Sequence, residues 1–249
     1  MYYIVFDLEF NQDLTAFQTT TEKLSSYPFE IIQFGAVKLD LNLQTVATFE
    51  RNVQPNIYQN LNPFISELTG ITIDQLLHEK PFVDVFEDFL NFIGASDPVF
   101  CVWGMSDMKE LYKNATYYKL GLKKIPTKYI NIQPYVSSYL GLPVTRLLNL
   151  QIAVEALHIP KPYPFHNALH DAYYTAEILK KLHSPFIIPQ HYDPNYQKVR
   201  PRQPKKQIDY DSLIRQFEKM YQRRLTQEEI DMIKLAYKMG KTNQFVRYE

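Results

Sequence analysis

The sequence predicts an α/β fold in which a mixed sheet lies between helices on both faces, followed by a small helical appendage. Three observations lead to this prediction. Antiparallel strand patterns come first, strand and helix patterns then alternate, and a proline-rich stretch separates these from a last pair of helix patterns. A length of 249 residues suits one domain with an appendage, and a single cysteine excludes an intramolecular disulfide.

Five segments have the composition or the alternation of β-strands. β-branched and aromatic residues dominate the first, and the fourth is a continuous apolar run of the kind that forms a buried central strand. The five are residues 2–6, 30–39, 45–53, 98–103 and 128–132. Residues 40–44 predict a hairpin turn, whereas the polar residues 11–28 predict a long loop.

Three kinds of signal predict the helices of the same domain: polar residues at N-cap positions, glycines where helices end, and apolar side chains at helical spacing. The clearest is residues 81–93, an amphipathic stretch that ends at Gly94. The others are residues 63–70, a short helix capped by Thr72, and residues 104–115, 132–140, 149–157 and 166–182.

The composition changes after Ser184, because prolines and basic residues replace the alternating patterns. Within the part that follows, residues 209–221 and 226–239 predict helices, and Thr226 with Glu229 predicts a capping box at the start of the second. The predicted parts of the chain are a main domain (residues 1–184), a basic connector with five prolines (185–208) and a helical appendage (209–249).

The net charge of zero hides an uneven distribution. Residues 198–249 carry 13 Lys and Arg against 7 Asp and Glu, whereas residues 1–197 carry 14 against 20. An acidic body with a basic tail is compatible with an anionic partner, and equally with a tail that is merely solvated. No stretch has the pattern of a signal peptide or a membrane span, so we expect a cytoplasmic protein without membrane contact.

Two carboxylates follow directly after the first predicted strand. Because strand side chains alternate, Asp7 and Glu9 point to one side, and Phe6, Leu8 and Phe10 point to the other. Adjacent carboxylates at the end of a buried strand repel each other and resist desolvation, which favours a cation between them. Hard oxygen ligands suit Mg²⁺ or Mn²⁺. The alternative is that both acids face water.

Two further acids could meet this pair. Asp107 follows the most hydrophobic predicted strand by four residues, and Asp171 lies in the first turns of a helix whose Ala168, Ala172 and Ala176 allow close packing on a sheet. Taken singly, each is better explained as an acid that the helix dipole favours near a helix N-terminus.

These four acids, with His166 five residues before Asp171, resemble the motif set of the DEDD superfamily of 3′–5′ exonucleases. The pattern is similar to the histidine variant, DEDDh, because the tyrosine variant would need Tyr at the position of Asn167. The resemblance covers about residues 2–183 and is closest to the ERI-type and KapD-like subgroup. Five segments carry the resemblance: Asp7-Leu-Glu-Phe, Glu30-Ile-Ile-Gln-Phe-Gly-Ala-Val, Leu68-Thr-Gly-Ile-Thr, Trp103-Gly-Met-Ser-Asp and His166-Asn-Ala-Leu-His-Asp-Ala.

The resemblance implies an RNase H-like fold, with a mixed five-stranded sheet flanked by helices, and a phosphodiester hydrolase. It implies that two Mg²⁺ or Mn²⁺ ions per site, about 4 Å apart, stabilise the attacking and leaving oxygens. The implied general base is His166, since a histidine ordinarily titrates near neutral pH. Cleavage would begin at a free 3′ end and release nucleoside 5′-monophosphates. The implied metal ligands are Asp7, Glu9, Asp107 and Asp171.

The expected substrate contacts are Leu8, Glu9, Phe10 and His166. The resemblance implies that Glu9, besides holding metal, accepts a hydrogen bond from the terminal 3′-hydroxyl. Phe10 is either a platform for base stacking or a core residue, and strand parity favours the core. His170 is expected to face solvent, with a phosphate contact as the less favoured alternative.

Basic and aromatic residues in two other stretches suggest either a track for a phosphate backbone or an ordinary solvated surface, and the solvated surface is favoured for the first stretch. The residues are Lys109, Lys113, Lys119, Lys123, Lys124 and Lys128 among Tyr112, Tyr117, Tyr118 and Tyr129, and on the connector Arg200, Arg202, Lys205 and Lys206.

The expected substrates are single-stranded or frayed 3′ ends of RNA or DNA, with RNA favoured by the subgroup resemblance. Two alternatives stay open, namely a DNA proofreading or repair subunit beside a polymerase, and a non-catalytic module that binds nucleic acid or protein. The helical appendage is expected to bind a protein partner or to mediate self-association.

Overall fold

A computed structural model describes residues 1–12, 29–95, 97–184, 186–196 and 209–241, with the backbone alone for 240 and 241. Most of the predicted loop 11–28 and the second half of the predicted connector 185–208 therefore lie outside the described residues. So do the four basic residues of the connector and the end of the predicted appendage.

One mixed sheet forms the centre of the main domain. Its strand order is β3-β2-β1-β4-β5-β6, with β1–β4 and β4–β5 parallel and the other neighbours antiparallel. The predicted α/β class is confirmed, but the predicted count of five strands is one too few for the described residues. The strands are β1 (Tyr2–Asn11), β2 (Glu30–Leu39), β3 (Thr45–Asn52), β4 (Pro98–Val102), β5 (Lys128–Asn131) and β6 (Gln190–His191).

The sequence did not predict the sixth strand, because β6 has only two residues and lies among the prolines assigned to the connector. Such a short edge strand carries no alternation that a pattern could reveal. It pairs Lys128 with His191 and Tyr129 with Gln190. The pairing extends the sheet beyond residue 184.

The helices occupy the segments that apolar spacing and caps predict. The described residues form α1 (Pro63–Thr69), α2 (Ile73–Leu76), α3 (Phe82–Ile93), α4 (Ser106–Tyr117), α5 (Gln133–Tyr139), α6 (Leu150–Ala156), α7 (Ala168–Leu182), α8 (Tyr210–Tyr221) and α9 (Gln227–Lys241), with a 3₁₀ turn at Leu122–Lys124. Every helix in this part of the chain is too short or too polar to serve as a membrane span.

Strand β1 separates two apolar cores. Phe6 and Leu8 point to the core that contains side chains of α3 and α4. Val5 points to the opposite core, which contains side chains of α5, α6 and α7. Because buried aliphatic and aromatic side chains each contribute about 1.5–3 kcal/mol of transfer free energy, the two cores fix the register of β1.

The first strand is longer than the predicted residues 2–6, since β1 continues through both acids to Asn11. Antiparallel pairing with β2 places Asp7 opposite Gly35 and Glu9 opposite Gln33, and the register shifts between Glu9 and Phe10. The acids stay in the strand because the neighbouring strand satisfies their backbone groups.

The backbone of α7 lies unusually close to β2 at Gly35. A Cβ atom at this position would lie 1.9 Å from the carbonyl carbon of Ala168 and 2.0 Å from the nitrogen of Leu169. Both contacts are to backbone, which cannot move aside as a flexible side chain would. A glycine is therefore required for α7 to reach the strand pair that carries the acids.

The chain divides into two compact units, residues 1–196 and 197–249. The described part of the second unit is a pair of helices. Arg223 and Glu229 form an ion pair at 2.6 Å, and the predicted capping box of Thr226 with Glu229 is confirmed by reciprocal hydrogen bonds. A groove of about 400 Å³ between the helices is lined by Leu213, Phe217, Met232, Ile233, Ala236 and Tyr237.

We predict that Gly35→Ala lowers the free energy of unfolding by about 3 kcal/mol or more, because the added methyl group pushes α7 away from β2. Chemical denaturation measures this loss. The matched control is Gly121→Ala, where φ is −72° and a Cβ meets nothing within 4 Å. Equal stability of the two variants would contradict the proposed close approach.

Candidate active site

Three carboxylates from two separate elements meet beside the central strand. Asp7 and Glu9 lie on β1, and Asp171 lies in the first turn of α7. Each offers one carboxylate oxygen, and these three oxygens lie within 4.8 Å of one another. The side of the sheet that bears both strand acids is the side on which α7 packs, as expected from strand alternation.

Hydrogen bonds fix the start of α7. The Asn167 side chain caps the helix by accepting from the His170 backbone N–H at 3.0 Å. Gln33, buried on β2, accepts from the Ala168 backbone N–H through its side-chain oxygen at 2.9 Å. Because Gln33 pairs with Glu9 across the strands, one side chain connects the helix to the acidic strand.

His166 precedes α7 and is held by its backbone. Its N–H donates to Asp171 Oδ2 at 3.2 Å, and its imidazole is exposed. Its φ of 65° lies in the left-handed region, which costs a non-glycine residue about 1–3 kcal/mol. The hydrogen bond thus fixes the backbone of His166 beside the acidic cluster and leaves the ring free to meet a bound molecule.

Asp107 approaches the cluster from the opposite layer of helices. It lies in the first turn of α4, is buried, and receives a hydrogen bond from the backbone of Leu8. After burial, its charge is one of the causes that raise the pKa of Asp7 and of Glu9. Among the described residues, however, the group with mutual oxygen distances within 4.8 Å contains the other three acids and not Asp107.

Burial raises the pKa values of all four acids, and repulsion by neighbouring carboxylates raises those of Asp7, Glu9 and Asp107 further. Burial, then Asp107, Asp171 and Glu9, raise the pKa of Asp7 well above its ordinary value. Burial and the neighbouring carboxylates raise the pKa of Glu9 to about 8. Burial raises the pKa of Asp107 to about 7 and that of Asp171 to about 6, in each case against hydrogen bonds that lower it.

The acidic cluster fits a divalent cation. The Asp171 Oδ1 atom is buried and has no hydrogen-bond partner among the described residues, although its other oxygen accepts from His166. Buried polar atoms are nearly always paired, so an unpaired carboxylate oxygen beside two further carboxylates needs a positive partner. Carboxylate oxygens are the ligands that Mg²⁺ and Mn²⁺ prefer.

A cleft of about 400 Å³ opens next to Glu9. Phe10 lines this cleft and also packs against the α3–α4 core, so it has both of the environments that the sequence analysis considered. The Leu8 side chain is 3% exposed and lies in the core, which leaves only its backbone for the expected substrate contact. The lining residues are Glu9, Phe10, Gln12, Phe29, Asn62, Ile65, Ser106, Lys109 and Glu110.

His170 is half-buried and therefore faces solvent only in part. Its ring stacks on Tyr163 at 4.8 Å, and its Nδ1 lies 3.1 Å from the Pro164 carbonyl oxygen. Of the lysines considered as a phosphate track, Lys113 pairs with Glu110 and Lys109 lines the cleft.

The sequence assigned no role to several residues that shape the site. Gly35 interrupts an apolar strand pattern, and an isolated strand glycine is a recognised sign of close backbone approach, so this signal was available. Gln33, Phe29 and Glu110 gave no such signal, because a polar or aromatic residue in these positions is equally typical of a solvated surface.

Comparisons with known proteins place this site in a family. A family model described as Exonuclease (RNase_T) matches residues 4–179. The chain belongs to the Exonuclease (RNase_T) family. This match confirms the predicted exonuclease resemblance and identifies residues 4–179 as an exonuclease domain.

Two curated relatives share part of the exonuclease domain. The ERI1 exoribonuclease 3 of Mus musculus is 29% identical over 178 residues, which cover 67% of this chain and 51% of that protein. A PolC-type DNA polymerase III of Clostridium perfringens is 30% identical over 196 residues, covering 72% of this chain and 11% of that protein. The chain thus spans about half the length of the exoribonuclease that it matches.

A solved structure shares the fold. The nuclease domain of 3′hExo, a DEDDh family member bound to rAMP, has a TM-score of 0.63 and 24% identity, over 77% of this chain and 96% of that domain. This similarity confirms the RNase H-like arrangement of the sheet and helices.

We predict that, in EDTA, the stability of the protein falls as the pH rises from about 4 to about 8. Folding raises the pKa values of these acids, so the folded chain binds more protons than the unfolded chain in this range. At pH 8, Asp7→Asn should have a higher free energy of unfolding than the parent, because it removes one of the buried, mutually repelling charges. The difference should shrink at pH 4.

Chemical denaturation at both pH values measures this effect. The control variant is Glu87→Gln, which removes an exposed acid of α3 and should change stability little at either pH. A parent protein whose stability stays constant from pH 5 to 8 would show that the acids do not repel one another as described.

Proposed function

We propose that this exonuclease domain removes nucleotides one at a time from the 3′ end of single-stranded or frayed nucleic acid, with RNA preferred, and releases nucleoside 5′-monophosphates. The observation that carries the proposal is the convergence of Asp7, Glu9 and Asp171, with one buried oxygen of Asp171 that has no partner among the described residues. Membership in the exonuclease family supports the same reaction class.

The four acids are the proposed ligands of two Mg²⁺ or Mn²⁺ ions. Bound divalent cations offset negative charge on the oxygens of a phosphoryl group and lower the pKa of water. The acids themselves are held before any ligand binds, since β1 fixes Asp7 and Glu9 and the backbone of Leu8 anchors Asp107. Such preorganisation avoids the cost of collecting four like charges during the reaction.

His166 is the proposed general base, which accepts a proton from the attacking water on an imidazole nitrogen. Its exposed ring is free to turn toward the cluster, while the bond from its N–H to Asp171 keeps its backbone in place. A base positioned in this way typically contributes 10²- to 10⁴-fold in rate. Glu9 is the proposed acceptor for the terminal 3′-hydroxyl, because it lines both the acidic cluster and the cleft.

The preference for RNA rests on the name of the exoribonuclease relative, and the match to a PolC-type DNA polymerase III makes a DNA-directed exonuclease the second candidate. A binding module without catalysis is the third. The four retained acids count against the third candidate, because binding alone does not require buried, mutually repelling carboxylates.

The second unit has a separate proposed role. The α8 helix has no buried side chain, and the apolar groove between α8 and α9 is open, as a surface for self-association or for a protein partner would be. Both roles stay predictions, as does the cytoplasmic location.

We predict that EDTA or Asp7→Ala abolishes shortening of a single-stranded oligonucleotide and that Glu87→Gln does not. Matched RNA and DNA oligomers with a 5′ fluorophore should give ladders that shorten from the 3′ end, faster for RNA. A 3′-labelled oligomer should yield labelled mononucleotide as the first product. Binding without shortening would favour the non-catalytic module, internal cuts would exclude exonuclease action, and faster DNA shortening would favour the second candidate.

We predict that His166→Ala lowers kcat about 10²- to 10⁴-fold, because the attacking water loses its proton acceptor. Thermal unfolding should be nearly unchanged, since the side chain is exposed. The control is His78→Ala, which removes an exposed imidazole that follows α2. Undiminished turnover by the His166 variant would reject the proposed base.

A further inference from the structure

Phe29 presents a partly exposed aromatic ring at the cleft. It is 42% exposed, and it lines the same cleft as Glu9 and Phe10. Its ring centroid lies 6.3 Å from that of Phe10 with the planes tilted by 56°. Part of an aromatic surface is therefore available to a molecule bound in this cleft.

Two buried polar side chains of α4 hold Phe29 in place. Asn114 donates from Nδ2 to the Phe29 carbonyl oxygen at 2.7 Å and accepts from the Ile31 N–H at 3.3 Å. Glu110 accepts from the Phe29 N–H through Oε2 at 3.2 Å. Glu110 is 3% exposed and Asn114 is fully buried.

These tethers connect two buried polar groups to the backbone around Phe29. The desolvation penalty of the Glu110 carboxylate is offset in part by its ion pair with Lys113 at 2.8 Å and in part by the hydrogen bond to Phe29. Here the hydrogen bonds are directed at the backbone immediately before β2 and at its second residue. They fix the direction in which the Phe29 ring leaves the chain, rather than adding apolar contacts to a core.

The other walls of the cleft suit a nucleotide. Phe10 supplies a second ring, Ile65 an apolar surface, and Gln12 and Asn62 polar groups, while Lys109 supplies positive charge. Aromatic rings beside a basic side chain are the usual means by which proteins hold unpaired bases and their phosphates.

We propose that Phe29, together with Phe10, is a stacking platform for an unpaired base of the substrate strand, and that Glu110 and Asn114 are positioning residues for that platform. This inference rests on the proposed function, because it assumes that the ligand is a nucleic-acid 3′ end. Stacking uses the face that every base has, so the platform accepts all four bases.

Phe29→Ala tests the platform directly. Kd is measured in EDTA, which prevents turnover, by fluorescence anisotropy of a single-stranded RNA dodecamer, and a second dodecamer with 2-aminopurine as its 3′ base reports stacking by quenching. Loss of one stacking contact should weaken binding about 5- to 150-fold. Quenching should fall, KM should rise by a similar factor, and kcat should change less than about threefold.

Two comparison variants make the result specific. Phe29→Tyr keeps an aromatic face and should retain Kd and quenching. Phe186→Ala removes a phenyl ring that is 86% exposed and does not line the cleft, and it should leave binding unchanged.

The positioning role is tested by Glu110→Ala against Glu110→Gln. Both remove the negative charge, but only Gln retains an oxygen that accepts from the Phe29 N–H. The Ala variant should raise KM and the Gln variant should restore it, and in the Phe29→Ala background the Ala variant should add nothing further to KM. An equal KM for the Ala and Gln variants would reject this role.

The failures of the two proposals are distinguishable. A parent protein that shortens RNA while Phe29→Ala retains its Kd, KM and quenching would overturn the platform and leave the exonuclease assignment intact. A parent protein that neither binds nor shortens oligonucleotides would overturn both.

Discussion

The N-terminal turn of α7 rests on Gly35 of β2, and the geometry of the acidic cluster depends on this backbone contact. A Cβ at Gly35 would lie about 2 Å from backbone atoms of the helix. Asp171 belongs to that helix, whereas Asp7 lies opposite Gly35 on β1. Gly35 lies on β2, the strand next to β1. The absence of a side chain at Gly35 therefore sets the distance between the strand acids and Asp171 on α7.

The same close approach makes the cluster electrostatically unfavourable. Its carboxylates raise one another's pKa values, and burial raises them further. The packing of two apolar cores against β1 holds the acids together against this repulsion, as Val5 and Phe6 illustrate on its two sides. Strain of this kind is found where a structure is organised for a ligand, because a positive charge converts the repulsion into attraction.

The sequence was sufficient for the features that repeat along the chain or depend on side-chain chemistry. The alternation of residues 45–53 predicts β3, and the spacing of apolar side chains in residues 81–93 predicts α3. Asp7 and Glu9 are adjacent by strand parity alone. The strand β6 was beyond reach, because two residues carry no period and their pairing depends on the position of Lys128 far away in sequence.

The tethering residues were beyond reach for a related reason. Glu110 and Asn114 are polar residues on a helix, and their sequence environment is the same whether they face water or a neighbouring strand. Only the tertiary contact with Phe29 separates these cases. Similarly, the Gln33 side chain accepts a hydrogen bond from the backbone of Ala168 on α7. Local sequence patterns do not encode such a long-range contact.

Helix α4 connects the acidic cluster with the proposed stacking platform. Asp107, Glu110 and Asn114 are spaced by three and four residues, which places them along one face of the helix. Asp107 adjoins the carboxylate cluster, whereas Glu110 and Asn114 form hydrogen bonds with the backbone of Phe29. A shift of α4 would therefore move a proposed metal ligand and the aromatic wall together. The rigidity of one helix would thus maintain the distance between the proposed metal site and the proposed stacking platform.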